Sequence, residues 1–203
     1  NGAGKTTTIK MLSGLILPTS GDIEIENMDM KKDIFKIKEI LNVSPQETAI
    51  APNLTVKENL EFMAGVYQIS NKEKKIDELI KQFKLEEILN KRTKTLSGGW
   101  QRRLSIAISL INNPKILFLD EPTLGLDVIA RKELWKVINE LKGKITIILT
   151  THYMEEAESL SDRIGIMANG KLVDVGTSKE LIKKTKTNNF EDAFVSIATG
   201  GEL

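Results

Sequence analysis

The amino-acid sequence predicts an α/β fold whose core is a mostly parallel sheet, with a helical subdomain inserted between strands. Three observations carry that expectation. Two runs of leucine and β-branched residues, ILFLD at 116–120 and ITIIL at 145–149, have the near-continuous apolar character of strands covered on both faces. Between them Leu134, Val137, Ile138 and Leu141 recur at helical spacing within 128–141, so strand, helix and strand follow in order. Residues 51–111 read as mostly helical, a block set between strands. A chain of 203 residues is long enough for one such domain with a subdomain and a substantial core.

The elements follow along the chain. The opening NGAGKTTT leads into a helix over 5–13 that carries Ile9, Met11 and Leu12 and closes at Gly14. GDIEIEN alternates Ile23 and Ile25 with acidic residues, the period of a half-exposed strand, and Val43 sits in a short strand ahead of Pro45. In the helical block Thr55 and Glu58 form a capping box, Leu60, Met63 and Tyr67 share one face, and Ile76, Leu79, Ile80 and Phe83 share another. After the second apolar strand, RIGIM at 163–167 and KLVDV at 171–175 flank Asn169 and Gly170, a hairpin turn. Thr177 and Glu180 cap a further helix, and a polar stretch over 185–189 precedes a short amphipathic end.

Composition narrows the classes. The 29 basic and 28 acidic residues give a formal charge of +1, which offers no electrostatic footprint for nucleic acid or for an acidic partner. The chain has no cysteine, so disulfide frameworks and thiolate metal sites are excluded. Its longest apolar runs fall far short of the roughly 20 residues a membrane-spanning helix needs, so any membrane it serves is crossed by another chain. The sequence starts at Asn1 without Met or a signal-like stretch, and Asn1 therefore reads as the edge of a longer parent.

Three stretches carry chemistry. Gly2, Gly4, Lys5 and Thr6 match the back half of the phosphate-binding pattern G-x-x-x-x-G-K-[ST], whose first glycine would precede Asn1. In such a loop backbone N–H groups and the helix dipole converge on a polyphosphate, the lysine reaches the β and γ phosphates, and the Thr6 hydroxyl ligates Mg²⁺. ILFLDE ends a buried strand in Asp120, a carboxylate placed to hold Mg²⁺ through a water, with Glu121 one residue on and in reach of an attacking water. LSGGWQRR at 96–103 sets two glycines before another helix, a second anion-binding N-terminus with Ser97 as hydroxyl donor. Each alone has a plain reading: a flexible start, an acidic strand end before Pro122, a Ser-Gly-Gly linker. Two anion cradles separated by a helical insertion exceed what one nucleotide needs.

The ordered set GAGKTT, Gln46 in SPQET, LSGGW, ILFLDEP, LGLD ending at Asp127 and TTH ending at His152 resembles the ATP-binding subunit of ABC transporters over essentially the whole chain. LGLDVIARKELW, HYMEEAE, DRIGIM and NGKLVDVGT are similar to the bacterial ABC-2, multidrug or sodium-export branch. The resemblance implies a P-loop NTPase with core segments 1–50 and 112–203 and a helical subdomain at 51–111. It implies ATP and Mg²⁺ as cofactors, with Asn1, Gly2, Ala3, Gly4, Lys5, Thr6 and Thr7 as the remnant of the phosphate loop. Ser97, Gly98, Gly99 and Asp127 join the nucleotide-contacting set. Glu121, His152 and Gln46 are the implied catalytic residues, and Thr6, Gln46 and Asp120 the implied metal ligands. Alone, His152 after ITIILTT reads equally as a structural strand-end residue.

The same resemblance implies a head-to-tail dimer in which each signature caps the nucleotide of its partner, which accounts for two cradles. It also implies a transmembrane permease as partner and a peripheral location on the cytoplasmic face of the membrane. Trp100 stands where the family usually has glutamine, and Ser97 with the Gly98 and Gly99 amides are expected to carry the contact without it. The family's first strand, adenine-stacking aromatic residue and first loop glycine would lie before Asn1, so the chain as given is expected to bind ATP poorly and hydrolyse it negligibly. A soluble ABC ATPase of translation or DNA repair is the alternative. The compact spacing of about fifty residues between Gln46 and Ser97 favours the transporter. A P-loop kinase or GTPase has no use for LSGGW or TTH, and a module with dead chemistry would not keep Lys5, Asp120, Glu121 and His152.

Overall fold

The computed structural model describes residues 2–200, so Asn1, expected in the phosphate loop, lies outside the described residues. Helix α1 (Lys5–Leu12) follows directly on the glycine-rich start. Two compact units divide the chain, Met11–Leu149 and a second built from Asn1–Lys10 with Thr150–Leu203.

The first unit opens with strands β1 (Glu24–Ile25) and β2 (Met28–Asp29), an antiparallel hairpin turned by Glu26 and Asn27, both at positive φ. The alternation in GDIEIEN thus marks one arm of a hairpin rather than a full strand. Helix α2 (Ile34–Ile40), which the sequence reading lacked, leads into β3 (Leu41–Ser44). Then come α3 (Val56–Val66), α4 (Lys72–Phe83), 3-10 turns at Glu86–Ile88 and Thr93–Thr95, and α5 (Gly98–Ile108). Strand β4 (Ile116–Asp120), helix α6 (Val128–Leu141) and strand β5 (Thr146–Thr150) complete the strand, helix, strand order that the apolar runs predict.

Strands β3, β4 and β5 form one sheet in that order, with β3 and β4 parallel and Ser44 opposite Leu119. Leu117, Phe118 and Leu119 are fully enclosed, as a two-sided strand requires. Strand β5 departs from that expectation, since Ile148 is 38 % exposed. Helix α6 turns Leu134, Val137, Ile138 and Leu141 inward, as its spacing predicts, and adds Trp135.

Helix α3 starts on the predicted capping box: the Thr55 Oγ1 accepts from the Glu58 N–H at 3.2 Å and the Glu58 Oε2 accepts from the Thr55 N–H at 2.7 Å. The Thr55 N–H and the Thr55 hydroxyl, which donates to the same Oε2 at 2.9 Å, together hold the Glu58 carboxyl below the usual carboxylate range. Its buried row is Val56, Leu60 and Ala64, with Asn59 beside it, whereas Met63 is half-buried and Tyr67 is exposed. The face expected at Leu60, Met63 and Tyr67 is therefore rotated. Asn59 is the cause: its Oδ1 accepts from the Ala51 N–H at 2.8 Å, and its Nδ2 donates to the carbonyls of Ala51 at 3.2 Å and Thr55 at 2.9 Å. A polar residue with all its groups satisfied occupies a core position. On α4 Ile76, Leu79, Ile80 and Phe83 are all buried, as expected.

In the second unit α7 (Met154–Leu160), absent from the sequence reading, precedes strands β6 (Ile164–Ala168) and β7 (Lys171–Gly176). These pair antiparallel through Asn169 at φ 50° and Gly170 at φ 76°, the left-handed pair that an Asn-Gly turn supplies. Helix α8 (Ser178–Thr185) begins on the capping box of Thr177 and Glu180, and α9 (Phe190–Ala198) closes the described chain. The unit's core gathers Ala157, Ile164, Ile166, Leu181, Phe190 and Ala193.

Replacing Leu60, which is fully enclosed, by Ala is expected to cost about 2–5 kcal/mol of unfolding free energy in urea titration, whereas Tyr67→Ser on the exposed side costs under about 1 kcal/mol. Equal losses would restore the 60, 63, 67 face and overturn the rotation attributed to Asn59.

Candidate functional site

The opening loop belongs to the second unit. Gly2 and Gly4 have φ of 80° and 94°, left-handed values that glycine adopts without strain as the chain enters α1. The Gly4 carbonyl accepts from the Thr8 N–H at 2.9 Å and the Thr8 hydroxyl at 3.0 Å, which fixes the first helical turn. A Cβ on Gly4 would stand 3.5 Å from the Gly170 Cα and 3.6 Å from the Met167 Cε, so the loop lies against the β6–β7 turn. Lys5 and Thr6 are half-buried and Thr7 is exposed. The first turn of α1 contains no acidic residue to offset the positive end of its dipole.

The same unit holds His152 two residues past β5. Its ring centroid lies 4.1 Å from that of Tyr153 in a tilted arrangement, and the Tyr153 N–H donates to the Thr151 Oγ1 at 3.0 Å. Neighbouring backbone and ring thus limit the directions the imidazole can take.

The first unit holds the remaining residues. Asp120 ends β4 at 3 % exposure and Glu121 follows at 7 %, so two carboxylates are drawn out of bulk solvent at the carboxyl end of the sheet. Glu121 has φ 48°, a left-handed conformation uncommon for a non-glycine residue; unlike Lys84 and Lys186, which adopt it at helix C-caps, Glu121 does so directly after a strand. The Leu124 N–H closes a turn onto the Glu121 carbonyl at 3.2 Å. Asp127 is the N-cap of α6, its Oδ1 accepting from the Ile129 and Ala130 N–H groups at 2.9 Å each. One oxygen of this expected nucleotide contact therefore has a structural task.

Ser97 is the N-cap of α5, exposed, and its side chain makes no capping hydrogen bond. The helix begins at Gly98, so both glycines that the sequence sets before it lie in its first turn. A Cβ on Gly98 would meet nothing within 4 Å, whereas one on Gly99 would stand 3.3 Å from the Ala130 Cβ of α6. Gly99 is explained by that close approach, while Gly98 faces open space and has no such reason within the chain. Trp100 lies over the Arg103 guanidinium, 4.7 Å from ring centroid to Cζ, and Arg103 pairs with Glu133 of α6 at 2.7 Å. The tryptophan found in place of the usual glutamine thus packs against the helix's own cation.

Gln46 is exposed just past Pro45, beyond the end of β3, and its backbone carbonyl accepts from Arg102 of α5. Arg102 and Arg103 are buried neighbours of these residues that the sequence reading did not single out. The available signal was their place on a helix followed by Leu104, Ile106, Ala107 and Ile108, which leaves little solvent-facing surface for a charge.

The ABC transporter family profile matches residues 1–124. The human phospholipid-transporting ATPase ABCA3 is 44 % identical over 186 residues, covering 91 % of this chain and 11 % of that protein. The probable multidrug ABC transporter ATP-binding protein YbhF of Escherichia coli is 40 % identical over 205 residues, covering 97 % of this chain and 35 % of that protein. The chain thus spans about a third or less of the length of these curated relatives. Among solved structures, an ATP-binding subunit of an ABC transporter superposes with a TM-score of 0.84 at 29 % identity, covering 97 % of this chain and 84 % of that one. The ATP-binding cassette MJ0796, a dimer in a post-hydrolysis state bound to ADP and Pi, superposes with a TM-score of 0.76 at 28 % identity, covering 87 % of this chain and 81 % of its own. With its glycine loop, buried acid pair and second glycine-led helix, the chain belongs to the ABC transporter family.

Proposed function

We propose that the chain is the ATP-binding and ATP-hydrolysing part of an ABC transporter that powers a separate membrane permease. The observation that carries this is Glu121, a buried carboxylate held at positive φ directly after Asp120. Local backbone strain of this kind costs on the order of 1–3 kcal/mol and is retained where a side chain must be aimed. Glu121 is the general base that orients and deprotonates the attacking water. Lys5 and the N–H groups of the Gly2 to Thr7 loop receive the β and γ phosphates, and His152 contacts the γ-phosphate and helps position the water.

Mg²⁺ suits the donors offered by Asp120, Thr6 and Gln46, since all are hard oxygen ligands. Among the described residues no group of three or more His, Cys, Asp or Glu could hold a metal alone, which accords with an ion bound largely by substrate phosphates. When bound, it would neutralise charge developing on the β and γ oxygens.

Ser97 and the Gly98 and Gly99 amides serve a nucleotide held by a second subunit, and the open space at Gly98 supports this reading. The dimeric form of the MJ0796 cassette is in keeping with it. No helix among the described residues is long and apolar enough to cross a membrane. In this reading a separate permease crosses the membrane and the chain works peripherally at its cytoplasmic face. The names of two relatives attach phospholipid in one case and multidrug in the other to segments alike here, which supports cargo choice outside this segment. Export of a drug, ion or other small solute is the assignment that the branch resemblance carries.

In the full-length protein Glu121→Gln is expected to bind MgATP and to lose about 10²-fold or more in phosphate release, because a neutral amide cannot accept the proton. Phosphate release within a few-fold of wild type would sink the role of Glu121.

Gly98→Asp fits the open space without distorting the fold, yet sets a carboxylate where a partner's γ-phosphate must approach. Hydrolysis is expected to fall by about 10²-fold or more while nucleotide binding to the monomer stays near wild type. Mixing it with Lys5→Ala is expected to restore activity through composite dimers that carry one intact site. If mixed dimers form and no ratio restores hydrolysis, the shared-site reading fails.

A further inference from the structure

Arg102 is 5 % exposed, yet it is a cation on a helix that the proposed reaction uses only at its first turn. Its Nη1 donates to the Pro45 carbonyl at 2.5 Å and its Nη2 donates to the Gln46 carbonyl. Both acceptors belong to the loop that leaves β3. Three residues on, and so on the same side of α5, the Ser105 hydroxyl lies 3.2 Å from the hydroxyl of Ser44, the last residue of β3. The parallel register sets Ser44 opposite Leu119, so Pro45 follows Ser44 on one strand as Asp120, the last residue of β4, follows Leu119 on the other. Burial lowers the Arg102 pKa from the ordinary arginine value, and the Asp120 charge acts in the opposite direction. The far end of the same loop is also tied, because Ala51 is held on both its N–H and its carbonyl by Asn59.

We infer that Arg102 is a positioning residue: by grasping the Pro45 and Gln46 carbonyls it fixes the direction in which the Gln46 side chain leaves the sheet and makes that residue move with the signature helix α5. Two parallel donors on a planar guanidinium define an orientation that one donor on a flexible stem does not. Displacement of α5 by a partner's nucleotide at Ser97 and Gly98 therefore carries Gln46 with it, which couples the two parts of the reaction. The coupling rests on the reading of Gln46 as a reaction-site residue, whereas the grip on its backbone does not.

The test uses the full-length protein with Arg102→Met, Arg102→Lys, Gln46→Ala and the double variant Gln46→Ala with Arg102→Met. Amide hydrogen exchange over 46–51 is expected to quicken in Arg102→Met and to return part of the way in Arg102→Lys. Turnover is expected to fall about tenfold in Arg102→Met with KM for ATP changed less than about threefold, because orientation rather than binding is lost. In the Gln46→Ala background the same change is expected to cost little more, since two residues acting through one another are not additive. Unaltered exchange over 46–51 in a folded Arg102→Met variant overturns the grip, and additive losses overturn the action through Gln46. Should Arg102→Met fail to fold, the Lys variant carries both readouts, with wild-type exchange and turnover counting against the inference. Gln46→Ala with full turnover would instead remove Gln46 from the reaction, and the exchange measurement would still decide the grip.

Discussion

The first unit depends on α5 being enclosed along its length while its first turn stays open. From Arg102 to Ile108 every residue of that helix is buried, whereas Ser97 and Gly98 are exposed. A helix so placed cannot leave its polar side chains to water, and each must find a partner inside the protein. Arg102 takes the carbonyls past β3, Arg103 takes Glu133 of α6, Ser105 faces Ser44, and Ser109 donates to the Ile106 carbonyl. Apart from Ser109, which bonds within its own turn, these side chains tie one helix to β3 and the Gln46 loop that follows it, and to α6, which Asp127 caps.

The ties differ in strength. Arg103 is almost covered but Glu133 is half-exposed, so their pairing loses much of its Coulombic advantage to solvent and salt. The Trp100 ring over the guanidinium covers one face of the charge without asking for a hydrogen bond. Arg102, enclosed and bonded to neutral carbonyls, is the more costly arrangement. A buried cation is tolerated there because two oriented dipoles and the Asp120 carboxylate share its field.

Much of the fold could be read from residues in order, because the deciding signals were local. Capping boxes at Thr55 and Thr177, the Asn169-Gly170 turn and the spacing in α4 and α6 each rest on neighbours within one or two turns. The same holds for the glycine loop and the acid pair. What escaped was set by distant partners. Asn59 rotates the face of α3 by bonding Ala51, eight residues away, and Arg102 is a core residue only because β3 ends above it. The short helices α2 and α7, seven residues each, span only about two turns, too few for a period to stand out from the residues around them. The left-handed backbone of Glu121 has no trace in sequence, since glutamate carries no preference for it.

The parallel pairing of β3 with β4 joins strands that lie on opposite sides of the whole helical segment in the chain. Closing so long a loop costs entropy before any ladder bond repays it, while the helices between can form from local contacts. The β3–β4 pairing is therefore the long-range part of this unit, whereas α5 itself rests on backbone contacts that are near in the chain. A nascent chain stopped before β4 would hold the signature turn and the Gln46 loop but leave β3 without its one partner among the described strands, both its edges unpaired until the strand ILFLD arrives.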